Sequence, residues 1–342
     1  GPARSRDGMI RRMPFNFAAV QAPFRMQPGL SRLPPARPAL TASNPGDRHL
    51  REKLAVLHAY PQQALCAVEG FDASSALMTL AVEAAATAAP AWFYDGADDC
   101  AAPRLGWSLR GGRPEASGPS AASEPSIGAL LRALPVSQRA VALCCLAFAE
   151  DFAVVDAASG AVPWLAVCLP SRWAPETKVG RHFSTIHAPV ADNAALLAAS
   201  QGLLRLVTAG ERWQRFVWTL SAEPRLHQHP DRAATEWPLQ EQAAAAFLRS
   251  EQQIFLPITG RHQAVFAIHV DSAPLAEAVR TPAEAATLHA ALASMSPAVL
   301  AYRGLAAPRE QLLAWLENVA AAAPGAIAGD AGASAPGSCR AT

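Results

Sequence analysis

The sequence predicts an α+β fold, with antiparallel strands in the middle of the chain and helices on both sides of them. Two apolar, β-prone runs, 141–155 and 162–169, are separated by Asp156-Ala157-Ala158-Ser159-Gly160, a composition typical of the turn of an antiparallel hairpin. Hydrophobic residues make up 51% of the 342 residues, which is enough to build a sizeable core and excludes a wholly disordered chain. Strands grouped between helical segments are the pattern of the α+β class.

Before the hairpin the pattern is extended and then helical. The many prolines between residues 10 and 47 favour an extended segment that wraps the surface. Asp47 is placed to cap a helix whose leucines recur at helical spacing. The stretch 94–126, rich in Gly, Pro and Ser, predicts a loop or mobile insertion. The helices predicted in this part cover 47–58, 73–88 and 125–134.

After the hairpin the pattern alternates between helices and further strands. Gly210 ends the first of these helices, and Thr259-Gly260 forms the turn between the last two strands. The predicted strands cover 214–220, 254–257 and 263–270. The predicted helices cover 193–209, 239–250, 281–295 and 309–321.

The two ends of the chain differ in composition from the rest. Met9 is a plausible native start, and we interpret residues 1–8 as the remnant of a cleaved tag. The last stretch, 322–342, is rich in Ala, Gly, Ser and Pro and is predicted to be disordered. Between them we expect an N-terminal wrapping segment with helices over 9–130 and a domain with C-terminal helices over 131–321.

Charge and cysteine content narrow the function classes. The formal net charge of +1 leaves no basic surplus to neutralise a run of phosphates, which argues against general nucleic-acid binding. No apolar run approaches the length of a membrane span, and no export signal is visible. The six cysteines contain no C-x-x-C pair, and adjacent Cys144 and Cys145 are predicted to be strand or core thiols. A reduced, cytoplasmic protein is the prediction.

The familiar catalytic motifs are absent from the sequence. It holds no G-x-G-x-x-G, no phosphate loop, no H-E-x-x-H and no nucleophile elbow. His227 and His229 could chelate a metal ion, but prolines at 224 and 230 bracket them, and we favour a polar loop.

One irregular segment after the hairpin, 169–190, concentrates chemically active side chains. His187 is followed by Ala-Pro-Val, a stiff backbone that suits an axial ligand of haem iron. Arg172 and Lys178 could pair with the haem propionates. From the residues alone, a histidine satisfied in the core or at the surface remains the alternative for His187.

The same segment carries a recognisable signature, and further blocks follow it in the order of one family. The matching residues are Leu169-Pro170-Ser171, Trp173, Lys178, Gly180, Ile186-His187 and Pro189-Val190. The other blocks are Pro23-Phe24-Arg25-Met26, Gly29-Leu30, Glu150-Asp151-Phe152, Trp218-Thr219-Leu220 and Arg249-Ser250-Glu251 with Gln253. Together they resemble the haem-dependent oxidative N-demethylase family over about residues 20–305.

The resemblance implies a PAS-like antiparallel sheet that holds haem b. Enzymes of this family oxidise a small alkylamine with O2, and the hydroxylated methyl group is lost as formaldehyde. Electrons come from NADPH through a separate reductase that carries flavin and an iron–sulfur cluster. The implied partners are therefore a small amine, O2 and a reductase protein, with no nucleic acid and no membrane.

For cofactor binding, the resemblance implies that His187 ligates the iron. Lys178, Arg249 and Arg172 are the candidates for neutralising the propionates, and Trp173 is a candidate wall of the haem site. The alternatives are solvated surface charges for the cations and plain core packing for the tryptophan.

For catalysis, Glu251 is the candidate carboxylate for an ammonium substrate, and Trp218 is a second candidate wall. A structural ion pair of Glu251 with Arg249 or another arginine is the alternative. His182 and His269 are second-choice iron ligands.

Two classes of function follow. The first is a haem monooxygenase that acts on a small amine, and the second is a haem-binding PAS-type sensor or gas-binding module without turnover. A diverged scaffold that has lost haem is a third. The sequence shows no sustained heptads that would link a sensor to an output domain, which favours the enzyme.

Overall fold

The computed structural model describes residues 15–26, 29–187, 189–234, 237, 243 and 245–322. Within these residues the chain combines helices with a seven-stranded and a four-stranded sheet, so the predicted α+β class is confirmed. The predicted tag remnant, and all but residue 322 of the predicted tail, lie outside the described residues.

The larger sheet has the strand order β1-β9-β10-β11-β7-β8-β2, and each neighbouring pair of strands is antiparallel. Its strands are β1 (Ser31–Arg32), β2 (Leu65–Ala67), β7 (Asp151–Asp156), β8 (Trp164–Ala166), β9 (Trp213–Ser221), β10 (Phe247–Pro257) and β11 (Gln263–Pro274). The hairpin β7–β8 and the strands predicted over 214–220, 254–257 and 263–270 are thereby confirmed. β10 begins earlier than predicted, so residues 247–250 are strand and not the end of a helix. Residues 239–242 and 244 of that predicted helix lie outside the described residues.

The smaller sheet corrects the prediction of a loop over 94–126. It is a meander of β3 (Phe93–Tyr94), β4 (Cys100–Ala102), β5 (Trp107–Arg110) and β6 (Arg113–Ala116). Trp107 and Leu109 alternate into the core, and Gly111-Gly112, both with positive φ, make the two-residue turn from β5 to β6. The glycines and prolines that suggested a loop are the turn residues of a sheet with very short strands.

The helices follow the predicted pattern except in the centre. They are α1 (Arg48–Ala59), α2 (Pro61–Ala64), α3 (Ser74–Ala85), α4 (Gly118–Ser123), α5 (Pro125–Ala133), α6 (Val136–Ala147), α7 (Phe183–His187), α8 (Ala194–Val207), α9 (Leu275–Ala278), α10 (Pro282–Ala293), α11 (Pro297–Tyr302) and α12 (Arg309–Ala321). Short 3-10 turns cover Phe17–Ala19 and Pro175–Thr177. α1, α3, α5, α8, α10 and α12 confirm the predicted helices.

α6 corrects the prediction of a strand starting near residue 141, because the strand β7 begins only at Asp151. Residues 142–147 are all buried, so this part of the helix is apolar on every side. A helix that is buried all round has no polar stripe, and its sequence cannot be told from that of a buried strand. Cys144 and Cys145 are core thiols, as predicted, but they lie on a helix.

Three groups of buried side chains pack against the large sheet, and β10 contributes to all of them. The first core joins α1, α3, α5, α6 and the small sheet to Leu256, the second joins α10–α12 to Leu248, and the third contains Phe255. Because neighbouring side chains on a strand alternate, Phe255 points to the opposite sheet face from Leu248 and Leu256. The domain boundary predicted near residue 130 stays a prediction.

In the described part of the chain, no helix combines the length and the hydrophobicity needed to cross a membrane.

Candidate functional site

His187 lies at the end of the short helix α7, and one contact shows that its Nδ1 carries a hydrogen. Its Nδ1 lies 2.8 Å from the carbonyl oxygen of Phe183, which can only accept, so Nδ1 carries the hydrogen. Burial lowers the pKa of His187, and the nearby charges of Arg215 and Lys178 lower it further. The ring also packs on Phe183, with 4.0 Å between ring centroids. A neutral imidazole with hydrogen on Nδ1 has its lone pair on Nε2, as a metal ligand requires.

α7 is held in place by the turn between β7 and β8. Phe183 N donates to Gly160 O at 2.7 Å, and Val162 N donates to Arg181 O at 3.1 Å. Gly160 has φ 70°, and a Cβ there would lie 2.1 Å from Nε2 of His182. Only glycine fits this approach, and the turn thereby fixes the start of the helix that carries His187.

Arg215 is a half-buried cation close enough to His187 to affect its pKa, and sequence reasoning missed it. It lies on β9 directly opposite Gln253 of β10, so both side chains share one sheet face with Glu251. Burial lowers the pKa of Arg215, whereas the negative charge of Glu251 raises it. Among the described residues, the buried Nε of Arg215 and Nε1 of Trp213 have no hydrogen-bond partner. Two buried donors on one sheet face thus have no partner in the part of the chain that the structure describes.

Glu251 is held through both of its carboxylate oxygens. Ser171 Oγ donates to Oε1, and Gln253 Nε2 donates to Oε2 at 2.6 Å. Ser171 Oγ in turn accepts from Nε of Arg249 at 2.9 Å. The carboxylate is therefore fixed in orientation on the same face as Arg215.

Arg249 is fully buried and donates to the backbone of two loops. Besides Ser171, its guanidinium donates to the carbonyl oxygens of Arg225 at 3.1 Å and Leu226 at 2.8 Å. Burial lowers the pKa of Arg249 to about 10. Its contact with Glu251 runs through Ser171, and its donors are directed to the loops that carry the site.

The other predicted cofactor residues differ in position. Trp173 is half-buried and packs on the third core, as Phe183 and Ile186 do. Lys178 is half-buried and near enough to His187 to affect its pKa. Arg172 is exposed, has φ 63° and donates to Ala234 O at 2.8 Å. Lys178 and Trp173 thus lie on the same face of the sheet as His187, whereas the Arg172 side chain binds the loop that contains Ala234.

Trp218 lies on the opposite face of the sheet from Glu251. It is paired in register with Ser250, is buried in the second core and packs edge-on to Phe24 at 6.1 Å. His269 lies on that opposite face too, where its Nδ1 is 2.9 Å from Glu150 Oε1. His182 is nearer to the site but uses Nδ1 to contact Ser184. The structure does not bring Trp218 and His269 to the side of His187.

His227 and His229 use both nitrogens of their rings in hydrogen bonds. His227 Nδ1 contacts Cys168 O at 2.7 Å, and its Nε2 accepts from Arg232. His229 Nε2 contacts Glu176 at 3.0 Å, and its Nδ1 accepts from Asp231 N. This geometry agrees with a polar loop.

We call the group His187, Arg215, Glu251, Ser171, Lys178 and Trp213 the sheet-face site. It fits a haem by three observations: an imidazole with its lone pair on Nε2, aromatic and aliphatic neighbours in the third core, and buried cationic or N–H donors without a partner in the described chain. A haem requires an axial donor, apolar walls and groups that pair with its carboxylates.

Fold and site together define a mixed α+β protein whose large antiparallel sheet carries a half-buried His–Arg–Glu site on one face. Over residues 47–313 the chain matches the family described as haem-dependent oxidative N-demethylase, alpha subunit-like. The match covers well over half of the chain, so the chain belongs to this family, as the sequence resemblance predicted. The family name indicates dependence on haem and an oxidative enzyme.

Proposed function

We propose that this chain is the haem-binding catalytic subunit of a monooxygenase that removes a methyl group from a small amine. The observation that carries the proposal is the hydrogen bond from His187 Nδ1 to Phe183 O, since it leaves Nε2 as the iron donor. Family membership supports haem and oxidation, and the proposal adds the substrate class, O2 and the electron source.

The sheet architecture supports a PAS-like haem domain. Numbered in chain order, β7, β8, β9, β10 and β11 are arranged 2-1-5-4-3 in the sheet, which is the strand order of PAS domains. The helix that carries His187 lies in the connection between the second and third of these strands.

Haem b would be held by His187 through Nε2, with Trp173, Phe183 and Ile186 as apolar neighbours. Arg215 and Lys178 supply positive charge beside His187, where the haem carboxylates would neutralise it. When bound, haem supplies the chemistry that activates O2 for oxidation of a C–H bond.

Glu251 would bind and orient the ammonium group of the substrate. Ser171 and Gln253 hold its carboxylate, so the substrate nitrogen would meet a charge that is already oriented. The overall reaction is R–NH–CH3 + O2 + NADPH + H⁺ → R–NH2 + CH2O + H2O + NADP⁺. NADPH is the reductant, and its electrons would arrive through a separate flavin and iron–sulfur protein.

The ultraviolet–visible spectrum of the purified protein tests the haem assignment. We expect a Soret band in the ferric protein that shifts on reduction with dithionite and CO, and that is lost in His187→Ala. His182→Ala is the control, because it removes the alternative ligand and should keep the band. If the band is lost in His182→Ala and kept in His187→Ala, His182 is the iron ligand and His187 is not. A protein that stays colourless after addition of haem would contradict the proposal.

The amine site is tested separately by titrating dimethylamine into the ferric protein. Glu251→Gln removes the charge with little change in shape and should weaken the amine-induced Soret shift about tenfold or more, since a hydrogen bond to a charged group contributes about 1.5–3 kcal/mol. Gln252→Ala, which changes the opposite sheet face, should leave the shift unchanged. Amine binding without formaldehyde release, in the presence of NADPH and a reductase of this type, would favour the sensor instead.

A further inference from the structure

A second cluster of reactive side chains, Lys53, Cys145, Asp151 and Cys168, is fully buried at the base of the segment that carries Ser171. The Sγ atoms of Cys145 and Cys168 lie 3.7 Å apart. Lys53 Nζ lies 3.2 Å from Asp151 Oδ1 and 3.9 Å from Cys145 Sγ. Nothing in the proposed oxidation uses these four side chains.

The cluster already contains its own cation. Cys145 Sγ, Asp151 and Cys168 Sγ offer three ligand atoms within 4.8 Å of one another, a spacing that could suit a metal ion. Lys53, however, places its ammonium among them and also donates to the carbonyl oxygens of Cys145, Phe148 and Glu150. Burial lowers the pKa of Lys53, but the neighbouring negative groups outweigh this and raise it, so the ammonium stays charged. We therefore interpret the cluster as a thiol site and not as a metal site.

The pKa values of the two thiols shift in opposite directions. The hydrogen bond from Cys168 and the charge of Lys53 lower the pKa of Cys145, although burial alone raises it. The pKa of Cys168 is raised by burial and by the contact with Cys145. Cys144, the next residue along α6, is equally buried, and burial raises its pKa well above the ordinary value. A thiol with a lowered pKa 3.7 Å from a thiol with a raised pKa is the arrangement of an attacking and a resolving cysteine.

We propose that Cys145 and Cys168 form a peroxide-sensitive dithiol that closes to a disulfide. The Cys145 thiolate attacks hydrogen peroxide, breaks the O–O bond and becomes a sulfenic acid, with hydroxide as the leaving group. The Cys168 thiol then attacks that sulfur, the S–O bond breaks, and the oxygen leaves as water. The two sulfurs together lose two electrons, and peroxide gains them.

Disulfide formation would act on the sheet-face site through the backbone. Closure shortens the distance between the sulfurs from 3.7 Å to about 2.05 Å. Cys168 O binds the ring of His227 at 2.7 Å, and Leu169 N donates to Asp151 Oδ2 at 2.6 Å. The displaced backbone continues directly into Ser171, which holds Glu251. The modification thus couples the oxidation state of the core to the orientation of the proposed substrate carboxylate.

The test is intact-mass analysis of the purified full chain after hydrogen peroxide and alkylation of the remaining thiols, followed by peptide mapping without reduction. We expect a loss of about 2 Da for the pair, reversed by dithiothreitol, and a cross-link between the peptides of Cys145 and Cys168. Cys168→Ala should abolish the cross-link and leave Cys145 with a gain of about 16 Da that dimedone traps. Cys144→Ala is the matched control and should keep the cross-link.

Far-UV circular dichroism of each variant shows whether it is folded before it is oxidised. A folded wild-type protein that gives no cross-link, or a cross-link that persists in Cys168→Ala, would overturn the proposal. The readout needs no haem and no turnover. The dithiol proposal can therefore fail while the proposed function holds, and the proposed function can fail while the dithiol proposal holds.

Discussion

Arg249 and Arg215, on neighbouring strands, illustrate how differently the same side chain is used in this protein. Arg249 donates to Ser171 and to the carbonyl oxygens of Arg225 and Leu226. Arg215 keeps an Nε without a partner in the described part of the chain. A buried donor that is satisfied stabilises the fold, whereas one that is not costs free energy until a ligand pairs with it. We therefore assign Arg249 to positioning of the loops and Arg215 to ligand binding.

This assignment makes a prediction for Arg215→Met. The substitution removes a buried N–H donor that has no partner among the described residues, so the midpoint of urea unfolding of the haem-free protein should stay unchanged or rise. Haem affinity, measured by spectrophotometric titration of that protein, should fall about tenfold or more, since a charge-assisted contact with a carboxylate is lost. Arg215→Lys keeps the charge and is expected to lose less affinity. Lower stability with unchanged haem affinity would show that Arg215 serves the fold instead.

A histidine–glutamate pair on the opposite face of the sheet predicts a pH dependence of stability. Burial alone would lower the pKa of His269, but the hydrogen bond and charge of Glu150 outweigh it and raise the pKa. Burial raises the pKa of Glu150, but His269 and the backbone amide of Thr41 lower it overall. The histidine contributes below its ordinary pKa of 6.5, and this contribution is lost as pH rises through the raised value. The carboxylate contributes above its ordinary 4.5, and this is lost as pH falls through the lowered value.

The free energy of unfolding of wild type minus that of His269→Gln should therefore be largest between pH 4.5 and 6.5 and should decline at higher pH. Urea unfolding over a pH series measures it. His262→Gln, at an exposed position, is the control and should give a nearly flat difference. A difference that grows as pH rises above 6.5 would contradict the assignment of a protonated His269.

The candidate site could be predicted from the sequence only in part. His187, Lys178, Trp173 and Glu251 stand in blocks that resemble the family, and the structure places them around one face of the sheet. Arg215 reaches that face because β9 pairs with β10 in the register that sets Arg215 opposite Gln253. Strand register depends on contacts between segments far apart in the chain, which a single sequence does not reveal. The prediction that Trp218 lines the haem site failed for the same reason. Neighbouring residues on a strand point to opposite faces of the sheet, and Trp218 points away from the face that carries Glu251.

At the scale of elements, the predictions succeeded where one face of an element is polar. α1 carries leucines on one side and exposed polar residues on the other, and its predicted bounds agree with the structure within a residue or two. α6 is enclosed by the first core, so its apolar sequence carried no period to distinguish helix from strand. The small sheet was missed for another reason: its strands are two to four residues long, too short for an alternating pattern to be read.

The turn that anchors α7 predicts that Gly160→Ala will impair haem binding more than folding. Alanine at Gly160 would carry the cost of a positive φ, about 1–2 kcal/mol, and its Cβ would meet the ring of His182. Gly260→Ala is a matched control, since φ there is 73° and nothing lies within 4 Å of the new Cβ. Both variants should lose similar stability from φ, but only Gly160→Ala should displace α7 and lower the Soret absorbance at equal haem. Equal Soret absorbance in the two variants would contradict the anchoring role.

At the scale of the whole molecule, the central strands connect all three cores. β10 and β11 have 11 and 12 residues, longer than most strands, and β10 alone reaches the first, second and third cores. β2, from the N-terminal part, pairs with β8 of the larger sheet. A substitution that destabilises one core is therefore expected to destabilise the others, because the same strand packs in all three.

We therefore expect the chain to unfold as one cooperative unit across the boundary predicted near residue 130. Leu248→Ala in the second core and Leu256→Ala in the first should each reduce the free energy of unfolding by about 2–5 kcal/mol, since both leucines are buried. Far-UV circular dichroism and tryptophan fluorescence should report the same shifted urea midpoint in both variants. Leu206→Ala, at a side chain 40% exposed, is the control and should move that midpoint little. Two separate transitions, with both substitutions shifting the same one, would instead indicate that the part after residue 130 unfolds independently of the part before it.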